Sequence, residues 1–322
     1  MAIGIEGGRI LRRKDGRPLY SPVFSEDQKV GLIDCATEKL QREFGQYAPV
    51  GVLKEFVQNG VHLIDTVEQA TVPVSQVYSD TDIVYIDSGP GAYLPGTHKG
   101  DYQYEPYDWS RGMDRARIRM GLMVAMKVTS LRPEKNPPLI MYTATPKENA
   151  LFTELITDLR DKEIHNFPPE NFIVYGNYRG KDGQENVIKH TGHQIEGLDL
   201  HEIKVGKNRD RSPNRVVVIT QSAHWLRIAH LMENFSENFP DETKVQVFPV
   251  ATPSRLASIG NRVSSENIMS SDLNTAACQY ALMELGGTAA SIWKYDPPMA
   301  SPNMCRFYIN NELYVPAVNN GN

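Results

Sequence analysis

RVVVITQSAHWLRIAHLMENF, residues 215–235, is the stretch that decides the fold. RVVVIT (215–220) is an almost unbroken apolar, β-branched run, the pattern of a strand buried on both faces. The residues that follow, 223–235, read as a helix with no loop before it. KVQVFPV (244–250) is strand-like again. Working back from 215, the same alternation returns: NFIVYG (171–176), PPLIMYT (137–143) and DIVYID (82–87) are short apolar runs. Between them, helices are expected over 113–131 and 147–160, with another beginning near Gln184. Strand and helix in alternation, with continuously apolar strands, predict an α/β fold built on a parallel sheet with helices on both faces.

The flanks read differently. Ser25 with Gln28 three positions later is a capping box opening a helix that stops at Gly45. A second helix is expected over 50–70, with Gly60 as its break. A further helix over 272–285 is expected to close on Gly286 and Gly287. The organisation predicted is a helical N-terminal extension (1–75), a sheet domain (76–255) and a C-terminal helix and tail packed on it (256–322).

Composition removes several classes. A formal net charge of −5 offers no general attraction for a polyanion, so nucleic acid is not expected as a partner. No run is long and apolar enough to span a membrane, and the N-terminal residues lack the apolar core of a signal peptide, which predicts a cytoplasmic protein. Cys35, Cys278 and Cys305 lack metal-ligand spacing and read as reduced structural thiols. His190, His193 and His201 lack the spacing of a third convincing ligand, so no metal site is expected.

In open parallel sheets, ligands bind beyond the carboxyl ends of the strands, so the residues after each strand are the candidates. Ser88, Gly89 and Gly91 form a small turn after 82–87 whose N–H groups can approach a phosphate or carboxylate. Glu148 and Asn149 fall in the first turn of the next helix, where a carboxylate also complements the helix dipole. Glu185 and Asn186 repeat that pairing after a glycine-containing loop, where a carboxylate and an amide can orient a hydroxyl or ribose. After 215–220 come His224 and Arg227, three apart on one helix face. An arginine fork suits an anion, and a histidine there can pass a proton to a leaving oxygen.

These segments, in this order, resemble the YdcF/SanA/ElyC-type family, a Rossmann-like domain of unknown function, over roughly residues 80–252. The motif Thr220, His224, Arg227 carries the resemblance best, and the helix bearing Arg115 and Arg119 adds to it. Gly183 stands where that family usually has threonine, and Thr143, Ala144 and Thr145 stand where it has a serine-glycine-glycine turn. The resemblance implies a three-layer Rossmann-like sheet, with Arg115, Asn149, Asn186, Thr220 and Arg227 beside the ligand.

The expectation is an enzyme, a hydrolase or group transferase, acting on a small phosphorylated or nucleotide-like substrate. His224, Glu185 and Glu148 are its candidate catalytic residues, and Ser88, Gly89, Gly91, Arg115, Asn149, Asn186, Thr220 and Arg227 hold the substrate. The alternative is a non-catalytic module that senses a nucleotide or S-adenosylmethionine-like ligand. The sequence specifies no cofactor, and a homo-oligomer is compatible with it.

Overall fold

The computed structural model describes residues 24–69, 74–88, 92–93, 104–105, 108–132, 136–162, 167–180, 182–206, 208–250, 273, 276–309 and 312–314. The chain divides into two compact units, neither continuous in sequence. The first draws its described residues from Met1–Thr71, Gln221–Ser236 and Ala251–Asn322, the second from Val72–Thr220 and Glu237–Val250.

The second unit is the α/β one. Its sheet strands are β1 (Ile83–Asp87), β4 (Leu139–Thr143), β5 (Phe172–Tyr175), β8 (Arg215–Gln221, whose last residue groups with the first unit) and β9 (Lys244–Val250), in the spatial order β9-β8-β1-β4-β5. Between the first two of these in sequence, β2 (Ala92–Tyr93) and β3 (Tyr104–Glu105) pair with each other in an antiparallel ladder outside that sheet. β1 pairs in parallel with both β4 and β8, and β4 with β5. Every residue of β1, β4 and β8 is buried, so both faces of the sheet centre are covered. This is a Rossmann-like α/β fold, as the apolar runs require. α3 (Asp108–Leu131) and α4 (Pro146–Lys162) cover one face. There Val84, Ile86, Ile140, Tyr142, Val217 and Ile219 meet Ile118, Leu122, Val128 and Phe152 in one core. The Tyr142 and Phe152 rings stack at 4.1 Å.

An ion cluster fastens the amino end of β1. Arg211 donates to both Asp82 oxygens at 2.7 and 2.6 Å, Arg132 adds a bond of 3.1 Å, and the Asn214 backbone N–H one of 2.9 Å. Burial works to raise the Asp82 pKa, but the Arg211 and Asn214 hydrogen bonds outweigh it and hold the carboxyl below its ordinary value. Arg215 meanwhile pairs with Asp80 at 2.9 Å. The basic run 204–215 thus neutralises acids of its own chain at two of its arginines.

The first unit is helical. α1 (Glu26–Phe44), α2 (Val50–Gln69), α6 (Ser222–Asn234) and α7 (Ala276–Ala289) pack together, and a short antiparallel hairpin, β10 (Phe307–Ile309) with β11 (Glu312–Tyr314), belongs with them. The capping box is formed: the Ser25 side chain accepts from the Gln28 N–H, and the Gln28 side chain from the Ser25 N–H. Trp225 meets Phe307 edge-on at 4.7 Å, and Phe56 meets Trp293 at 5.1 Å.

Three local expectations are corrected. α2 runs through Gly60 without a break, because the glycine sits where Leu285 of α7 packs; a Cβ there would lie 2.7 Å from the leucine Cδ2. Gly286 and Gly287 lie inside α7 rather than ending it. No helix begins near Gln184. Instead β6 (Asn177–Arg179) and β7 (Glu185–Val187) form an antiparallel hairpin, its turn closed by the Gly183 N–H on the Gly180 carbonyl and by Asp182 accepting from the Gln184 N–H.

Candidate functional site

The strand order of the second unit contains a switch point. β4 and β5 lie to one side of β1, β8 and β9 to the other, so successive connections depart in opposite directions from the gap between β1 and β8. At such a switch point the carboxyl ends of two neighbouring strands open a ligand crevice.

Asp87 ends β1 and is fully buried. The Thr220 hydroxyl, from β8, donates to its Oδ2 at 3.4 Å. Arg117 of α3, also fully buried, lies 3.6 Å from the same oxygen and donates to the Asp87 carbonyl. A guanidinium beside a carboxylate makes burial of both tolerable, which neither would be alone.

One residue further on, Ser88 is buried and its Oγ accepts a hydrogen bond from the Gln194 Nε2 on α5 (Thr191–Glu196). That nitrogen also donates to the Thr143 carbonyl at 2.9 Å, which fixes the orientation of the carboxamide. With Oγ serving as acceptor, the Ser88 hydroxyl hydrogen is not used in this bond. Behind it Tyr85 shares a 2.6 Å hydrogen bond with Thr143 Oγ1; burial first, and then the Asp87 charge, push the Tyr85 phenol well above its ordinary pKa.

At the end of β4, Glu148 is committed to the chain. Its Oε2 accepts from both the backbone N–H and the hydroxyl of Thr145 at 2.9 Å, which caps α4. Asn149 donates to the carbonyls of Ala144 and Tyr175 at 3.1 and 2.7 Å, bridging the ends of β4 and β5. Glu185 and Asn186 sit on β7 of the hairpin, both exposed or half-buried, with Glu185 accepting from Asn177 at 2.8 Å. Both lie on a strand, not in the helix start that their pairing predicts.

His224 and Arg227 belong to the first unit. Both face Glu284 of α7: His224 Nδ1 is 3.0 Å from one carboxylate oxygen and Arg227 Nη2 is 3.0 Å from the other. His224 and Glu284 are completely buried. The anion that Arg227 meets is therefore a carboxylate of its own chain. Gly89 and Gly91 lie outside the described residues, and Arg115 falls in α3 in a stretch whose side chains are not described.

His190 caps α5, accepting the His193 N–H at 3.3 Å, while His193 Nδ1 accepts from the Lys189 N–H at 3.3 Å. Both rings thus act in the local turn. Among the described residues no group of three or more His, Cys, Asp or Glu side chains could hold a metal ion.

Asp87, Arg117, Gln194 and Glu284 escaped the sequence reading. Two of them left a signal. Arg117 falls at helical spacing with Gly121, Val124 and Val128, on the apolar stripe of α3, and a charge on such a stripe needs a buried partner. Glu284 is the lone charge in the sequence of α7.

No family model, curated protein or solved structure matches this chain. Among the described residues, no helix is long and apolar enough to cross a membrane.

Proposed function

We propose that the second unit binds a small phosphorylated or nucleotide-like molecule at the carboxyl edge of its sheet and acts on it as a hydrolase or group transferase. One observation carries this reading: Asp87, the last residue of β1, and Thr220, next to last in β8, stand on adjacent strands at the switch in strand order and are hydrogen-bonded to each other there. In this reading Asp87 is the carboxylate that takes up a proton, and Arg117 balances its charge in the resting site. Ser88 presents its hydroxyl to an anionic oxygen of the ligand. The resemblance to the YdcF-type family, which runs through Thr220, supports the same edge, and a cytoplasmic location belongs to the same proposal.

The test is a thermal-shift screen of the full chain against nucleotides, sugar phosphates and S-adenosylmethionine analogues, followed by product analysis on each hit. A ligand that binds the native state raises the melting temperature by mass action. The reading expects a hit that is weakened by Ser88→Ala and whose turnover is lost in Asp87→Asn. A hit indifferent to both substitutions would place the ligand elsewhere.

A second reading, binding without turnover by a nucleotide- or S-adenosylmethionine-sensing module, is favoured by two of the expected catalytic groups. Glu148 is occupied in a helix cap and His224 is held against Glu284. A tight ligand recovered unchanged after prolonged incubation would decide for it.

A further inference from the structure

α6 begins without a loop, directly on the end of β8, and its start is unusual in its polar chemistry. Gln221, the cap, makes no side-chain capping bond. Gln221 is fully buried and Ser222 almost so. Both amide atoms of Gln221 and the Ser222 hydroxyl are without a hydrogen-bond partner. Buried polar groups left unsatisfied cost roughly 1–3 kcal/mol each, so three of them on two consecutive residues mark a place suited to a polar partner.

All three atoms belong to the cap and first residue of a 13-residue helix, at its positive pole. The first N–H groups of any helix lack intrahelical partners and point outward along its axis. Arg227, one turn later, is engaged by Glu284, so the donors at the pole are neutral ones.

We propose that the start of α6 is a binding site for the phosphoryl group of a small molecule. Gln221 Nε2, Ser222 Oγ and the N–H groups of Ser222 and Ala223 are its donors. Gln221 Oε1, the remaining acceptor, takes a hydrogen bond from a hydroxyl carried by the same ligand, as a sugar phosphate supplies. This goes beyond the function proposed above, whose groups are Asp87, Arg117, Ser88 and Thr220. The two stand on different residues and fail separately.

The experiment is calorimetric titration of the full chain with inorganic phosphate and with ribose 5-phosphate, repeated on Ser222→Ala and Gln221→Met, with melting curves of each ligand-free protein. The expected result is that both probes bind the parent protein, ribose 5-phosphate more tightly. Each substitution weakens ribose 5-phosphate by about tenfold or more, the loss of a hydrogen bond to a charged group. Gln221→Met also removes the preference for the sugar ester, and it raises the melting temperature of the ligand-free protein. A glutamine serving only the fold would lower it. Should Gln221→Met not fold, Ser222→Ala, which deletes one atom, decides the matter alone. Absence of binding by both probes, or affinities unchanged in the folded variants, overturns the proposal. Asp87→Asn tests the reading of the second unit independently.

Discussion

Gly287 leaves the space that Arg227 occupies: a Cβ built on this glycine would overlap the arginine's guanidinium. Gly287 lies one turn along α7 from Glu284, the carboxylate that Arg227 reaches. The glycine therefore does not end a helix. It lets an arginine lie flat across one and meet a buried acid.

Gly287→Ala should accordingly destabilise the protein, by up to about 3 kcal/mol, because displacing Arg227 weakens its pairing with the buried Glu284. Alanine ordinarily stabilises a helix interior over glycine by about 1 kcal/mol, so the sign is opposite to propensity. Gly286 is the control, with no atom within 4 Å of its Cβ position. Gly286→Ala should raise stability by about 0.5–1 kcal/mol. Chemical denaturation of the two variants side by side reads both signs.

His230 gives the protein an acid-side weakness. Burial pulls its pKa down to about 4, against hydrogen bonding that includes the Ser301 carbonyl, 2.8 Å from its Nδ1. The unfolded chain takes up a proton on this ring below about pH 6.5, while the folded chain does so only near 4. The folded state is thus fully favoured above about pH 6.5 and loses about 3 kcal/mol as pH falls from there to 4. His230→Gln should flatten the stability profile within that window.

Asp82 acts further down the scale. With its carboxyl held below the ordinary value, its contribution is complete above the unfolded pKa of about 4. It is lost as pH falls through the folded value. Asp82→Asn should cost about 3–5 kcal/mol at neutral pH, since Arg132 and Arg211 lose their shared partner. It should leave the slope between pH 4 and 6.5 untouched.

Arg117→Leu should cost about 3–5 kcal/mol by leaving the Asp87 charge buried without its guanidinium. Combining it with Asp87→Asn should recover a large part of that loss. A double-mutant cycle on unfolding free energies measures the coupling, and additive losses would show that the two side chains do not depend on each other.

The sheet is legible because its signal is local: VVVI in β8 and IVYI in β1 are short, β-branched apolar runs of strand length. The site is less so. Glu185 and Asn186 read as a helix start although Asp182 and Gly183 beside them are a hairpin signal, and the hairpin is what forms. The short spacing of His224 and Arg227 is readable, but their partner Glu284 lies sixty residues on, where only a tertiary contact brings it back. Asp87 passes as the polar end of a strand because Arg117 and Thr220, which it meets, are also distant in sequence. Local periodicity reports what a residue rests on; it does not report what a buried charge is paired with.

The interleaving of the two units sets an order of synthesis. A ribosome that has released the chain to Val250 has supplied all of the second unit's segments, and its sheet can close at that moment. α1 and α2 precede the second unit in the chain, yet α7, with Leu285 for Gly60, follows it. The first unit therefore closes through contacts of long sequence separation, which are slow to form, after the second unit has all of its own segments.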